Sequence, residues 1–387
     1  MVRTPPGSLP VDGLHALRQR RSAKWSTYPD DVLPLPVAEM DFPLAPVVQD
    51  VLRRAVDASD TGYGYAEPVL GAAVARFAGE RWSWEVDADA VSAVADVGVG
   101  TVELLRAVCR PGDAVVISPP VYPPFFSWVA ETRTRLVEAP LRQGADGTWR
   151  LDLDRLGTAF AQRPAAYILC NPHNPVGRVH DREELTAIAR LAAEHGVTVI
   201  ADEIHAPLVL PGAEFTPFLT VPGGAEVGIS LVSASKAFNL AGLKCAAAVT
   251  ASSPMRAVTD RLPPDGVWRI GHFGLLATEA AFTDGGEWLD ALLATLDARR
   301  QQLGRLLAER LPQVRWTPPE ATFLAWLDCR SLGGGDTAHE LFLREGRVAL
   351  EPGTRFGAEG SGWVRLNYGT SEEILDEAVL RMAAALH

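Results

Sequence analysis

Hydrophobic residues change their rhythm twice along the chain. Over the first 45 residues they are thinly spread among Pro and turn formers, with one apolar stretch, VLPLPVAEM, that predicts an extended arm packed on something larger. From about residue 90, short apolar runs alternate with amphipathic segments. The runs VSAVADV (91–97), AVVIS (114–118), AAYILC (165–170), VTVIADE (197–203), GISLVSA (228–234) and CAAAVTA (245–251) read as strands. Residues 181–196 read as a helix: Asp181 can cap it, Glu184 stands three residues on, Leu185, Ile188 and Leu191 share a face, and Gly196 ends it. Continuous apolar runs joined by helices predict an α/β fold with a mainly parallel sheet covered on both faces. Ligands of such sheets bind beyond the carboxyl ends of the strands. A helical region with Leu289, Leu292, Leu293 and Leu296 on one face spans about 286–311. The strand-like TFLAWLDC (322–329), RVALEP (347–352) and WVRLNYG (363–369) follow. The pattern divides the chain into an arm (1–46), a large domain (47–282) and a smaller α/β domain (283–387) that the arm completes.

Composition narrows the possibilities. With 387 residues, 47% of them hydrophobic, the chain can bury a sizeable core. A formal charge of −12 argues against nucleic acid or an anionic membrane as partner, although a local anion pocket stays compatible with it. Cys109, Cys170, Cys245 and Cys329 lie among apolar neighbours without a CxxC pair, as buried free thiols of a reducing compartment would. The start, MVRTPPGSLPVDGL, lacks the basic and apolar blocks of a secretory signal, and no apolar run approaches the roughly 18 residues of a membrane span. The expectation is a cytoplasmic protein. Among 36 basic residues only Lys24, Lys236 and Lys244 are lysine. Lysine, unlike arginine, can lose its proton and act as an amine nucleophile, so the candidates for that chemistry are few.

Chemistry-bearing residues collect where the strands end. VGVGTVELLRAV (97–108) reads as a strand end, a glycine turn and a helix start, a possible anion site with Thr101 adding a hydroxyl; an ordinary helix start is the competing reading. AAYILC leads into NPHNPVGR (171–178), VTVIADE ends in Asp202-Glu203-Ile204-His205, and GISLVSA runs into Ser233-Ala234-Ser235-Lys236. Singly, each polar residue has a structural explanation. Together they supply an amine that condenses with an aldehyde, a carboxylate for a pyridinium nitrogen, an amide for a phenolate oxygen, and hydroxyls with a cation for a phosphate. Those are the needs of pyridoxal 5′-phosphate.

The order Asn174, Asp202, Ser233-x-Ser235-Lys236, Lys244 and Arg365 resembles the fold-type I pyridoxal-phosphate enzymes of the aspartate aminotransferase superfamily, over nearly the whole chain. The resemblance implies that Lys236 forms the Schiff base and moves the proton, and that Asp202 pairs with the ring nitrogen. Asn174 would donate to the ring oxygen, with His205 nearby where many relatives have tyrosine. Gly100, Thr101, Ser233, Ser235 and Lys244 would hold the phosphate, and Tyr122 would stack on the ring. Arg365 would grip the carboxylate of a small amino-acid substrate. Tyr65, in GYGY (62–65), resembles a tyrosine that reaches the cofactor of the neighbouring subunit, which implies a homodimer with shared sites. Packing aromatics at Tyr65 and Tyr122, a salt bridge at Arg365 and a loop role for His205 are the plain alternatives.

KWSTYPDDVLPLPVAEMDFP (24–43), PVYPPF (120–125), CNPHNPVGRV (170–179), DEIHAPLVLPG (202–212), SKAFNLAGLK (235–244) and TFLAWLDCR (322–330) are most similar to the cystathionine β-lyase-like C–S lyase subgroup. That subgroup usually has tryptophan where this chain has Pro36, and aspartate at Glu39 and Pro207. The resemblance implies cleavage of cystathionine or another S-substituted L-cysteine to a thiol, pyruvate and ammonia. The same residues serve an aminotransferase passing nitrogen to a 2-oxo acid, which is the alternative. A non-catalytic binding module is a third possibility, disfavoured by intact Lys236, Asp202, Asn174 and Arg365.

Overall fold

The computed structural model describes residues 9–66, 68–333 and 335–386, so the first eight residues of the predicted arm lie outside the described ones. Seven strands form the central sheet: β1 (Val91–Val94), β2 (Ala114–Ile117), β3 (Arg135–Glu138), β4 (Ala166–Cys170), β5 (Thr198–Asp202), β6 (Gly228–Val232) and β7 (Ala246–Val249). Their order is β1-β7-β6-β5-β4-β2-β3. The run from β6 to β3 is parallel throughout, while β7 is antiparallel to both its neighbours. The apolar runs read from sequence are the five inner strands and the edge strand β1. β3 was not among them, because at the sheet edge Arg135 and Glu138 face solvent and its apolar signal is only two residues long.

Alternate residues of the strands bury into two layers. Val115, Ile117, Ile168 and Ile200 pack with Leu104 and Leu105 of the helix Val97–Val108. Val116, Tyr167, Leu169 and Val199 pack on the opposite side, in a core continuous with the C-terminal region. The helix Arg182–His195 carries the predicted capping box between Asp181 and Glu184, and Gly196 closes it in the left-handed region at φ 70°.

The helix start after β1 corrects one expectation. Residues 97–100 are not a glycine turn but the first helical turn, capped by Asp96, whose Oδ1 accepts from the Val99 N–H at 2.7 Å. Gly100 has a packing reason. A Cβ there would stand 3.0 Å from the side chains of Leu231 and Val94, so the missing side chain lets the helix settle on the sheet.

The C-terminal region builds a second sheet from β8 (Arg315–Trp316), β9 (Leu324–Asp328), β10 (Glu351–Pro352) and β11 (Trp363–Asn367), in the antiparallel order β8-β9-β11-β10. The segment read as one strand over 347–352 divides at Leu350. Val348–Ala349 pairs in parallel with Leu33–Pro34 of the arm, and β10 then pairs with β11. The long helix spans Gly286–Arg310 and is held to the helix Glu372–Ala384 by Arg299, whose Nη1 lies 2.6 Å from a Glu372 carboxylate oxygen. Among the described residues no helix is long and apolar enough to cross a membrane.

Candidate active site

β4, β5 and β6 run the same way, so the segments after them emerge at one edge of the sheet. There they surround a cavity of about 290 Å3 whose walls include Tyr122, Asn174, Asp202, His205, Lys236 and Lys244.

Lys236 is partly buried and its Nζ donates to the carbonyl of Ala38 at 3.0 Å. Burial, then the nearby Arg365 charge, lower its pKa to about 8, with Glu39 and Asp202 opposing and Lys244 assisting. An appreciable fraction of neutral amine therefore exists near physiological pH, as a carbonyl-condensing lysine needs. Across the cavity Asp202 is 4% exposed. Burial raises its pKa to about 7, against the Ile204 N–H bond of 3.2 Å and the charge of Lys236. It has no ion-pair partner among the described residues, and a protonated ring nitrogen would supply one.

Asn174 accepts from Arg365 Nη1 at 3.0 Å through Oδ1, which leaves its amide N–H groups available to the cavity. The other arm of Arg365, Nη2, donates to the Pro36 carbonyl at 2.8 Å, and the guanidinium lies 4.9 Å over the Phe356 ring. Burial lowers the Arg365 pKa to about 10, so it stays cationic at neutral pH. His205 is held neutral: burial, Lys236 and Arg365 press its pKa to about 3, and its Nδ1 has no protein partner. Tyr122 meets Trp128 edge to face at 6.1 Å, and both line the cavity.

At the other end Lys244 pairs with Asp96 at 2.9 Å. Val97, Gly98 and Ser235 line the cavity beside them. The residues expected to cradle a phosphate are not all there. The Gly100 N–H is bonded to the Asp96 carbonyl, and Thr101 is buried with its hydroxyl on the Val97 carbonyl at 2.8 Å. One helical turn separates them from the first amides of that helix, which belong to Val97 and Gly98. Ser233 is also turned away: its hydroxyl donates to the Cys245 carbonyl at 2.8 Å and accepts from the Ser235 N–H at 3.1 Å. Tyr65 is 68% exposed and lines no part of its own chain's cavity. The four cysteines are free, and Cys170 lies in the cavity floor.

One wall of the cavity is main chain. Residues 36–41 form a strap whose carbonyls are taken in turn by side chains from distant parts of the molecule. Arg365 takes Pro36, Asn367 takes Val37 and Glu39, Lys236 takes Ala38, and Asn239 takes Met40. Below it, Lys24 and Asp41 form a fully buried ion pair at 2.7 Å, to which Trp25 adds an N–H bond of 2.9 Å. Sequence reading gave the arm as an extended segment packed on something larger but could not name Asn239 and Asn367, because a carbonyl acceptor leaves no trace in residue type. Asp96 was within reach, since an aspartate opening a helix is a capping signal.

These residues fit pyridoxal 5′-phosphate: a tuned amine, an unpaired buried carboxylate, an aromatic wall, and a cation with helix-start amides at the far end. Comparisons with known proteins agree. Residues 30–382 match the aminotransferase class I and II family. A putative cystathionine beta-lyase of Mycobacterium leprae is 46% identical, over 100% of this chain and 99% of its own. Cystathionine beta-lyase PatB of Bacillus subtilis is 34% identical over 95% of this chain and 97% of its own. Among solved structures, a putative PLP-dependent beta-cystathionase from Corynebacterium diphtheriae superposes with a TM-score of 0.91 at 33% identity, over 98% of this chain and 100% of that one.

Proposed function

The chain belongs to the aminotransferase class I and II family, and from that premise we propose that it is a pyridoxal-phosphate-dependent carbon–sulfur β-lyase, cleaving cystathionine or another S-substituted L-cysteine to a thiol, pyruvate and ammonia. The observation that carries the reading is the pairing, in one cavity, of a lysine amine lowered to about 8 with a buried carboxylate raised to about 7. The relatives named cystathionine beta-lyase direct this shared machinery to C–S cleavage.

Bound cofactor supplies the electron sink that allows a Cα proton to leave. Lys236 anchors it and then, freed, takes the Cα proton on Nζ. Asp202 would keep the ring nitrogen protonated, because its buried carboxylate has no other cation to pair with among the described residues. Asn174 offers its amide N–H groups to the ring oxygen while its Oδ1 steadies Arg365. Arg365 binds the substrate carboxylate, and that exchange replaces its bond to the Pro36 carbonyl. Ser235, Lys244 and the amides of Val97 and Gly98 would hold the phosphate, and Tyr122 and neutral His205 would line the ring's place in the cavity.

The same reading takes the protein as a cytoplasmic homodimer in which Tyr65 serves the partner's site. In it, residues 47–282 form the cofactor domain, and 283–387 with the arm form the smaller one. Exposed Tyr65, beside the Tyr63–Trp268 aromatic pair at 6.1 Å, supports the shared surface.

The test is a panel of cysteine thioethers with the holoenzyme. Thiol and pyruvate are expected in equal amounts without any added 2-oxo acid. If no thioether gives pyruvate, while an amino donor discharges the cofactor and a 2-oxo acid restores it, the protein is an aminotransferase.

A further inference from the structure

On the strand beside Arg365 stands a charge pair that the chemistry above does not use. Glu351 and Arg355 form an ion pair, with side chains 13% and 61% exposed. Glu351 lies in β10 directly opposite Arg365 in β11. Cross-strand partners project to the same face of a sheet, so Glu351 shares the face from which Arg365 reaches Asn174. Arg355 lies on the turn Gly353–Phe356, and that turn contacts both Arg365 and the segment leading into Tyr122. Its Phe356 ring lies under the Arg365 guanidinium, and the Phe356 carbonyl accepts from Val121 at 2.9 Å, one residue before Tyr122.

Resting on the lyase reading, we propose that Glu351 and Arg355 recognise the far end of the substrate, selecting thioethers whose leaving thiol carries an amino-acid head group. A carboxylate beyond the sulfur would meet Arg355 and an ammonium would meet Glu351, so a zwitterion exchanges with the pair and leaves neither charge unmatched. A neutral S-alkyl group cannot make that exchange and leaves the pair as it stands. An ordinary surface ion pair would contribute little and would not need a shielded carboxylate. Glu351 is shielded, and Arg355 is the only hydrogen-bond partner of its carboxylate among the described residues. Its charge reaches the working groups, raising the proton affinity of Arg365 and Tyr122, and it also raises that of Tyr28 in the arm, where Arg355 opposes it. Neither residue touches the reacting atoms. Their effect belongs to binding and specificity.

The experiment compares L-cystathionine, which ends in a zwitterion, with S-ethyl-L-cysteine, which does not. Holoenzyme, Arg355→Ala, Arg355→Lys and Glu351→Gln are each measured for kcat, KM and, from the cofactor absorption change on mixing, Kd. Loss of a charged hydrogen bond predicts that Arg355→Ala weakens cystathionine by about tenfold or more, in KM and Kd rather than kcat. S-ethyl-L-cysteine should change less than about threefold by the same reasoning, Arg355→Lys should recover part of the loss, and Glu351→Gln should show the same selectivity. Equal losses on both substrates, or no loss on either, overturn the proposal. Absence of pyruvate from both substrates with the unaltered protein would instead refute the lyase reading. The Kd comparison then still decides the head-group site.

Discussion

A buried carboxylate without a cation is a standing cost to the protein without its cofactor. Burial raises the pKa of Asp202 from the usual 3.8 of a free carboxyl to about 7. The folded state thus binds the proton more tightly than the unfolded chain, and stability falls as pH rises from about 4 to about 7 and stays lower above that. At pH 8 the penalty is on the order of 4 kcal/mol. Asp202→Asn keeps an acceptor for Ile204 and removes the charge. In urea unfolding of the cofactor-free protein it should be the more stable form at pH 8, with the gain shrinking as pH is lowered towards 4. With cofactor and substrate present the order of merit reverses, and the variant should lose roughly two or more orders of magnitude in turnover. A cofactor-free variant no more stable than its parent at pH 8 would show that Asp202 is not the strained group described here.

Elements were legible where one rule governed them. The inner strands announced themselves as unbroken apolar runs, and the helix Arg182–His195 by its capping box and closing glycine. The edge strand β3 and the division at Leu350 were hidden, because their apolar runs are short and their pairing partners lie far off in the chain. The candidate site divides in the same way. Lys236, Asp202 and Asn174, which share one cavity, could be picked out because residue type and strand-end position coincide. The helix start at 97–108 was read as a possible anion site, but Gly100 and Thr101 were named in it rather than Val97 and Gly98, which line the cavity, because main-chain amides have no residue signature. The arm shows the cost of such hidden contacts. Removing the cation from the fully buried Lys24–Asp41 pair leaves a desolvated carboxylate, so Lys24→Met should destabilise the protein by about 3–5 kcal/mol. Lys24→Met/Asp41→Leu should recover part of that loss in thermal or urea unfolding. A double variant as unstable as the single one would mean that the pair's geometry, and not its charge balance, holds the arm.

At the scale of the whole molecule, Tyr65 projects from a chain whose own cavity it does not line. The dimer reading gives it a destination in a second copy. Inactive Tyr65→Ala mixed with inactive Lys236→Ala should regain activity, since one site of each hybrid has both an intact lysine and an intact tyrosine, towards about a quarter of normal for random exchange. Subunit exchange verified by mass without regained activity, or a monomer by sedimentation, would refute the shared site.

The carbonyl strap also sets a timetable. Its outermost bond joins Arg365 to Pro36, 329 residues apart, and Asn367 reaches back still further to Val37. A ribosome adding about 5–20 residues per second makes the strap roughly 15–65 s before the strand that captures it. The sheet that carries Lys236 and Asp202 is complete long before then. The first wall of the pocket to be synthesised is thus among the last to be fully held, since its bonds to Lys236 and Asn239 can form early but those to Arg365 and Asn367 wait for β11.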